Sequence, residues 1–188
     1  MSWRIHFDSN GALVSKLAQS VADAGGQAWL VGGAVRDALI GRAVKDYDIE
    51  IFGLGLEQVE NLLKSQFNKV DQVGRSFGVF KIGGYPIDVA LPRRERKTGY
   101  GHRGFTIESD SNLSLEVAAE RRDYTINAIY GDLLTGELAD PLGGLKDIAN
   151  SILRHASPAF VEDPLRVLRG MQFVARFNLE PHRETIRL

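Results

Sequence analysis

Asp46 and Asp48 stand two residues apart in the stretch KDYDIEIF. Side chains on a strand repeat every two residues, so both carboxylates point to one face. Carboxylates held side by side repel each other unless a cation sits between them. A divalent metal meets that need, and hard Mg²⁺ prefers carboxylate oxygen. Just upstream, the apolar run Trp29-Leu30-Val31 reads as a short buried strand that stops at Gly32-Gly33, and residues 34–40 read as a helix ending near Gly41. Adjacent glycines let backbone N–H groups come close to an anion, and the following helix N-terminus favours negative charge. Alone, a Gly-Gly is a tight turn and a D-x-D is a solvated strand edge. Together, phosphate donors beside a metal-holding carboxylate pair describe a nucleotidyl-transfer site.

A second constellation lies in FVEDPLRVLRGMQFVARF, residues 160–177. Pro164 suits the first turn of a helix, with Glu162 and Asp163 at its positive end. Val167, Leu168, Met171, Val174 and Ala175 recur at helical spacing, which predicts that this stripe packs on the body of the protein. Arg166 lies three residues from Asp163, on the same side of the first turn. Cytosine and adenine both present an amino donor beside a ring-nitrogen acceptor. An Asp accepts from the amino group while an Arg donates to the ring nitrogen. Guanine and uracil reverse that order and leave buried polar groups unpaired, at about 1–3 kcal/mol for each group. A protein carrying Asp163 and Arg166 could therefore choose C and A over G and U without a template.

The elements that position these residues follow from pattern. Residues 12–24 and 56–67 read as amphipathic helices, and residues 70–73, 79–82 and 87–91 as short strands. Residues 115–122 read as a helix, Asp140-Pro141-Leu142-Gly143-Gly144 as a turn, and a helix from about 145 precedes a strand at 152–155. This order gives an α/β or α+β domain with a mixed sheet. Asp88 alternates with Ile87 and Val89 in its strand, a place for a third carboxylate or a base. The chain has 188 residues, 44% of them hydrophobic, and no Cys, so it has no disulfide partner. The start, MSWRIHFDSNG, lacks the apolar core of a signal peptide, and no apolar run reaches membrane length. A soluble, cytoplasmic protein without a membrane partner is expected. A net charge of −1 is low for an RNA-binding surface. Residues 92–112 read as an exposed loop that supplies local basic charge through Arg93, Arg94, Arg96, Lys97 and Arg103.

These strings also resemble a known family. GG-x-VRD-x-L-x-G followed by D-x-D, then RRDYTINA at 121–128 and E-D-x-x-R at 162–166, resemble the class II tRNA nucleotidyltransferases (CCA-adding enzymes) and the bacterial poly(A) polymerases. The resemblance implies a polymerase-β-like nucleotidyltransferase head at residues 1–150 and the start of an α-helical neck at 151–188, with body and tail domains absent. It implies that Gly32, Gly33 and Arg36 hold the triphosphate, that Asp46 and Asp48 hold Mg²⁺, and that Asp37 orients the site. Asp88 matches the carboxylate that helps remove the proton from the attacking 3′-hydroxyl. Arg122, Asp123 and Asn127 would border the ribose and triphosphate, with one arginine of the adjacent Arg121-Arg122 pair turned to Asp123. Glu162, Asp163 and Arg166 match the base-choosing motif. The implied activity adds C, A or both from CTP and ATP to the 3′ end of tRNA. A poly(A) polymerase acting on other RNA 3′ ends and a non-catalytic RNA-binding module are the alternatives. Residues 74–80 look closer to the tRNA enzymes, and nucleotide binding is expected to outlast RNA affinity in this chain.

Overall fold

The computed structural model describes residues 11–73, 78–97 and 105–188, with main chain alone at 95–97 and 105–107. The N-terminal stretch before Gly11, residues 74–77 and the glycine-rich segment around Arg103 lie outside the described residues, and so do the expectations placed on them. Helix α1 (Gly11–Asp23) buries Val14, Leu17, Ala18 and Val21, the three- and four-residue spacing that makes one helical face. Strand β1 (Gln27–Val31) follows, then α2 (Gly33–Leu39) and β2 (Tyr47–Phe52). Helix α3 (Leu56–Gln66) buries Val59 and Leu63. Strands β3 (Val70–Val73), β4 (Val79–Ile82) and β5 (Ile87–Ala90) form a meander. Strands β6 (Arg93–Lys97) and β7 (Phe105–Ser109) come next, then α4 (Leu115–Glu120), β8 (Tyr130–Asp132) and β9 (Leu138–Ala139). Helix α5 (Gly144–Ala149), β10 (Ile152–Leu153), α6 (Leu165–Phe177), β11 (Glu180–Pro181) and α7 (Arg183–Ile186) complete the order.

The main sheet runs β3-β4-β5-β2-β1-β8-β9. Only the β2–β5 pairing in it is parallel; β1–β2, β1–β8, β3–β4, β4–β5 and β8–β9 are antiparallel, so the sheet is mixed as expected. Its two faces do different work. Tyr47, Ile49 and Ile51 of β2 meet Val14, Leu17, Val59 and Leu63 of α1 and α3 in one core. Trp29 and Val31 of β1, Phe52 of β2 and Tyr130 of β8 meet Ala118 and Ala119 of α4 in a second. A third, smaller core of Tyr124, Ile126, Leu153, Phe160 and Phe173 carries α6. Among the described residues, no helix is long and apolar enough to cross a membrane.

Three expectations change. Residues 92–112 are not simply a loop, because β6 and β7 pair antiparallel from Arg93↔Ser109 to Lys97↔Phe105. A hairpin satisfies its main chain with ladder bonds whatever its side chains are, so a run of charge hides it. Helix α4 stops at Glu120, with Arg121 as its C-cap, two residues short of the expected end. The stripe of α6 faces the other way: Val167, Leu168 and Met171 are more than half exposed, and the buried positions are Arg166, Gly170 and Phe173. Those three are also spaced for one helical face, and Gly170 wins the inner position because a Cβ there would strike the Tyr124 hydroxyl.

Helix α5 starts on a close contact of the same kind. Asp140 accepts from Gly144 N at 2.7 Å and Leu145 N at 3.0 Å, after Gly143 turns the chain at φ 76°. A Cβ on Gly144 would fall on the Thr125 carbonyl and lie 2.8 Å from Ile129 Cγ1. Gly144→Ala is therefore expected to lower unfolding free energy by about 1–3 kcal/mol in urea denaturation. An unchanged midpoint would mean that α5 can move away from Thr125.

Candidate active site

Strand pairing assembles the carboxylates. In the parallel β2–β5 ladder Asp48 sits opposite Asp88, and in the antiparallel β4–β5 ladder Lys81 sits opposite the same Asp88. Three side chains thus stand in a row across neighbouring strands. Lys81 Nζ donates to Asp88 Oδ2 at 2.7 Å. Asp46, just before β2, joins them around a cavity of about 530 Å³ also lined by Tyr85 and Pro86. Burial in this hollow pushes the Asp48 carboxyl up; Arg122 opposes that, while Asp88 and Asp46 add to it.

Asp46 and Asp48 also form one wall of a second cavity of about 370 Å³. Its other side carries Gly33, Arg36, Arg42, Lys45 and Arg176, with Asp37 among them. Local positive charge therefore lies beside the carboxylates in spite of the net charge of −1. Gly32 makes the turn into α2 at φ 69°, a conformation that strains any residue with a side chain. A Cβ there would stand 3.3 Å from Arg122 Nη1 and 3.7 Å from Asp48 Oδ2, so the glycine lets a guanidinium and a carboxylate approach one point.

The arginines are held from behind. Arg36, 6% exposed, donates to Asp37 Oδ1 from Nε at 2.9 Å and from Nη2 at 2.7 Å, and to Asn127 Oδ1 at 2.6 Å. Asn127 Nδ2 donates to Asp123 Oδ1 at 2.9 Å, and Arg169 Nε donates to Asp123 Oδ2 at 2.7 Å. Asp123 is thus taken by Asn127 and Arg169, not by either arginine before it. Arg121 and Arg122 instead converge on one buried acid, Glu50, through Nη2 atoms at 2.5 and 3.1 Å. Adjacent helical residues diverge, but α4 has already ended at Glu120, and the non-helical chain beyond it brings both inward.

At the far end, Arg166 is buried and donates to the carbonyls of Ala159 at 3.1 Å and Arg121 at 2.8 Å. Asp163 Oδ1 accepts from Leu165 N at 3.0 Å. Glu162 closes the short 3-10 turn Pro158–Glu162 just before them. A third cavity of about 420 Å³, between α6 and α7, is lined by Tyr124, Leu153, Phe160, Met171 and other largely apolar residues. Among the described residues its lining holds no carboxylate.

This arrangement has relatives. A family model described as the poly A polymerase head domain matches residues 28–154, the span that holds both carboxylate strands and the Gly32 turn. The chain belongs to the poly A polymerase head domain family. It is 48% identical over 149 residues to a multifunctional CCA protein of Stenotrophomonas maltophilia, covering 79% of this chain and 35% of that protein. It is 46% identical over 162 residues to the multifunctional CCA protein of Nitrosococcus oceani, covering 86% and 38%. The chain thus spans little more than a third of either relative. Among solved structures, the CCA-adding enzyme of Bacillus stearothermophilus in complex with CTP matches with TM-score 0.77 and 30% identity over 95% of this chain and 42% of that one. The Thermotoga maritima CCA-adding enzyme complexed with tRNA matches with TM-score 0.77 and 28% identity over 96% and 41%.

Within this head domain, the donors suit a hard cation in number and kind. Among the described residues no three acidic or imidazole groups converge as a ready-made metal cage. Mg²⁺ needs none, because it is held by one or two carboxylates completed by substrate phosphates and water. Asp46 and Asp48, between a carboxylate cavity and a basic one, fit that pattern.

Glu50, Arg42, Lys45 and Arg176 escaped the sequence reading. Glu50 carried a signal, since it continues the Asp46, Asp48 alternation into an otherwise apolar strand. Burial by itself would push its carboxyl up, but Arg121 and Arg122 outweigh that and hold it below its ordinary value of 4.5. A depressed carboxyl contributes stability that is complete above the unfolded value and is lost as pH falls through the folded one. Thermal unfolding of the natural protein and Glu50→Gln should therefore differ most near neutral pH and draw together well below 4.5. Parallel curves across that range would show that the two arginines do not depend on the Glu50 charge.

Proposed function

We propose that this chain is the catalytic head of a metal-dependent, template-independent RNA nucleotidyltransferase that adds C and A from CTP and ATP to the 3′ end of tRNA. One observation carries the reading: Asp48 faces Asp88 across the β2–β5 ladder, in a hollow that shares Asp46 and Asp48 with a basic groove. The likeness to the Thermotoga maritima CCA-adding enzyme complexed with tRNA favours tRNA over poly(A) addition. Residues 1–150 form the head in this reading, and 151–188 begin a helical neck carried by α6.

In this mechanism Asp46 and Asp48 would hold Mg²⁺, which when bound would neutralise phosphate charge and favour in-line displacement of pyrophosphate. The N–H groups of Gly32 and Gly33, with Arg122, receive the triphosphate. Arg36 braces that wall from inside through Asn127, which in turn holds Asp123 beside the ribose. Asp88 accepts the proton of the attacking 3′-hydroxyl as Lys81 releases it. Arg166 spends two of its guanidinium donors on carbonyls, which fix its plane and leave the others for a base ring nitrogen. Asp163 accepts from the amino group of C or A, and Glu162 supports the arginine.

Equilibrium binding of CTP, ATP, GTP and UTP with Mg²⁺ tests this reading, repeated on the Asp163→Ala, Arg166→Ala double variant. CTP and ATP are expected to bind selectively, with the preference over GTP and UTP lost in the variant. Equal binding of all four would reduce the pair to a helix cap. Lys81 offers a second check, because its side chain is 56% exposed and its loss should leave the fold intact. Lys81→Met removes a cation whose charge reaches Asp48 and Asp46 as well as Asp88, and it should tighten Mn²⁺ binding up to about fivefold in calorimetry, the worth of one exposed ion pair. Weaker Mn²⁺ binding would mean that Lys81 helps to build the site.

A further inference from the structure

Glu50 is fully buried in the central strand, two residues from Asp48 and on the same side of the ladder. The even positions of β2 grade along that side. Asp48 opens to the cavity, Glu50 lies beneath the end of α4, and Phe52 is packed under Ala118 and Ala119. Each Glu50 oxygen accepts from a different arginine, Oε1 from Arg121 and Oε2 from Arg122. Two guanidiniums share one carboxylate, so the cluster has surplus positive charge. Among the described residues, the Nε atoms of both arginines are buried without a hydrogen-bond partner. A buried cluster that keeps an excess cation and unpaired donors costs stability unless it serves an incoming anion.

We propose that Glu50 is a positioning residue for the nucleotide: it holds Arg122 off Asp48 and fixes the segment from which both the phosphate-facing and base-facing arginines are set. This rests on the nucleotidyltransferase reading above. Arg122 Nη1 and Asp48 Oδ2 face the same point beside Gly32. With Glu50 present, Arg122 is drawn back toward the sheet and lies 5.8 Å from the Tyr130 ring centroid. Asp48 then keeps its oxygens for the metal, and Arg122 Nη1 stays aimed at the glycine turn. Without the Glu50 charge, Asp48, which faces the same point and already feels the Arg122 charge, is an acid left for Arg122 to pair with, and an ion pair there takes both groups out of use. The same anchor reaches the base end. Arg121, fixed by Glu50, offers its carbonyl to Arg166 Nη2 at 2.8 Å. One buried carboxylate thereby ties the depth of Arg122 to the placement of Arg166.

The test is equilibrium binding of CTP with Mg²⁺, read beside thermal unfolding, on four proteins. These are the natural chain, Glu50→Gln, the charge-balanced Glu50→Gln with Arg121→Gln, and Asp147→Asn. Asp147 is a buried acid bonded to Thr125 and Arg154, away from the groove, and it controls for plain loss of stability. Glu50→Gln should bind CTP at least about tenfold more weakly, the usual cost of losing a group that orients a ligand's direct contacts. The double variant removes one acid and one base; it should regain melting temperature and stay weak for CTP. Asp147→Asn should melt earlier and bind CTP as the natural chain does. Unchanged or tighter binding by Glu50→Gln overturns the proposal. So does a double variant that recovers affinity together with stability, since Glu50 is then charge balance alone. Equal loss of affinity in Asp147→Asn also overturns it, as a general effect of destabilisation. If the natural chain binds no CTP, the nucleotidyltransferase reading itself falls, an outcome distinct from these.

Discussion

The register of β2 against β5 is the constraint from which the site follows. Strand side chains alternate, so a slip of one residue would send Asp48 and Glu50 into the α1–α3 core and turn Tyr47, Ile49 and Ile51 to the side that carries the cavity and the Arg121-Arg122 pair. Burial on the core side prevents this. Each fully buried Ile, Val or aromatic side chain contributes roughly 1.5–3 kcal/mol. Tyr47, Ile49, Ile51, Ile87 and Val89 all lie in that core. Repulsion between two carboxylates near a surface amounts to about 1–4 kcal/mol, less than the burial on the opposite face. The sheet can therefore hold Asp48 against Asp88 as a side effect of packing, with Lys81 softening the remaining repulsion.

Charge, beside the small apolar core of Tyr124, Leu153, Phe160 and Phe173, joins α6 to this frame. Arg36 stacks over Phe177 at 4.5 Å and over Phe173 at 5.3 Å, and Arg169 over Phe173 at 5.4 Å. Such contacts are worth about 0.5–2 kcal/mol each, more where water is excluded. The same arginines continue into Asp37, Asn127 and Asp123, so the seam between helix and sheet is also the wall of the basic groove. Movement of α6 would be felt at Gly33 through Arg36, and at Arg121 through Arg166. Base reading and phosphate holding are mechanically joined by these few side chains.

Much of the fold was legible. Strands β3 and β4 fall on their expected residues, and α1, α2 and α3 differ from expectation by a residue or so at their ends. These are elements with clear periodicity and glycine or turn punctuation. Strand β8 was invisible because Tyr130-Gly131-Asp132 is too short for alternation to show, though it pairs with β1 and carries the edge strand β9. The face of α6 was misjudged because two helical stripes compete in its sequence. The more hydrophobic one, Val167-Leu168-Met171, lost to one made of Arg166, Gly170 and Phe173. Only the shape of the opposing surface, with the Tyr124 hydroxyl pressed against Gly170, decides between them.

The sequence by itself determined the chemical inventory: a carboxylate pair at strand spacing, a glycine turn for an anion, an acid and an arginine one helical turn apart. Local spacing suffices for these because each depends on residues close in the chain. The tertiary structure alone decided who meets whom across long separations. It set Asp88 against Asp48 through strand register, and it gave Arg121 and Arg122 to Glu50 rather than to their neighbour Asp123. It placed Arg36 on Asn127, 91 residues away. Pairings of that kind depend on how buried surfaces fit together, and the order of residues along a chain carries no direct record of that fit.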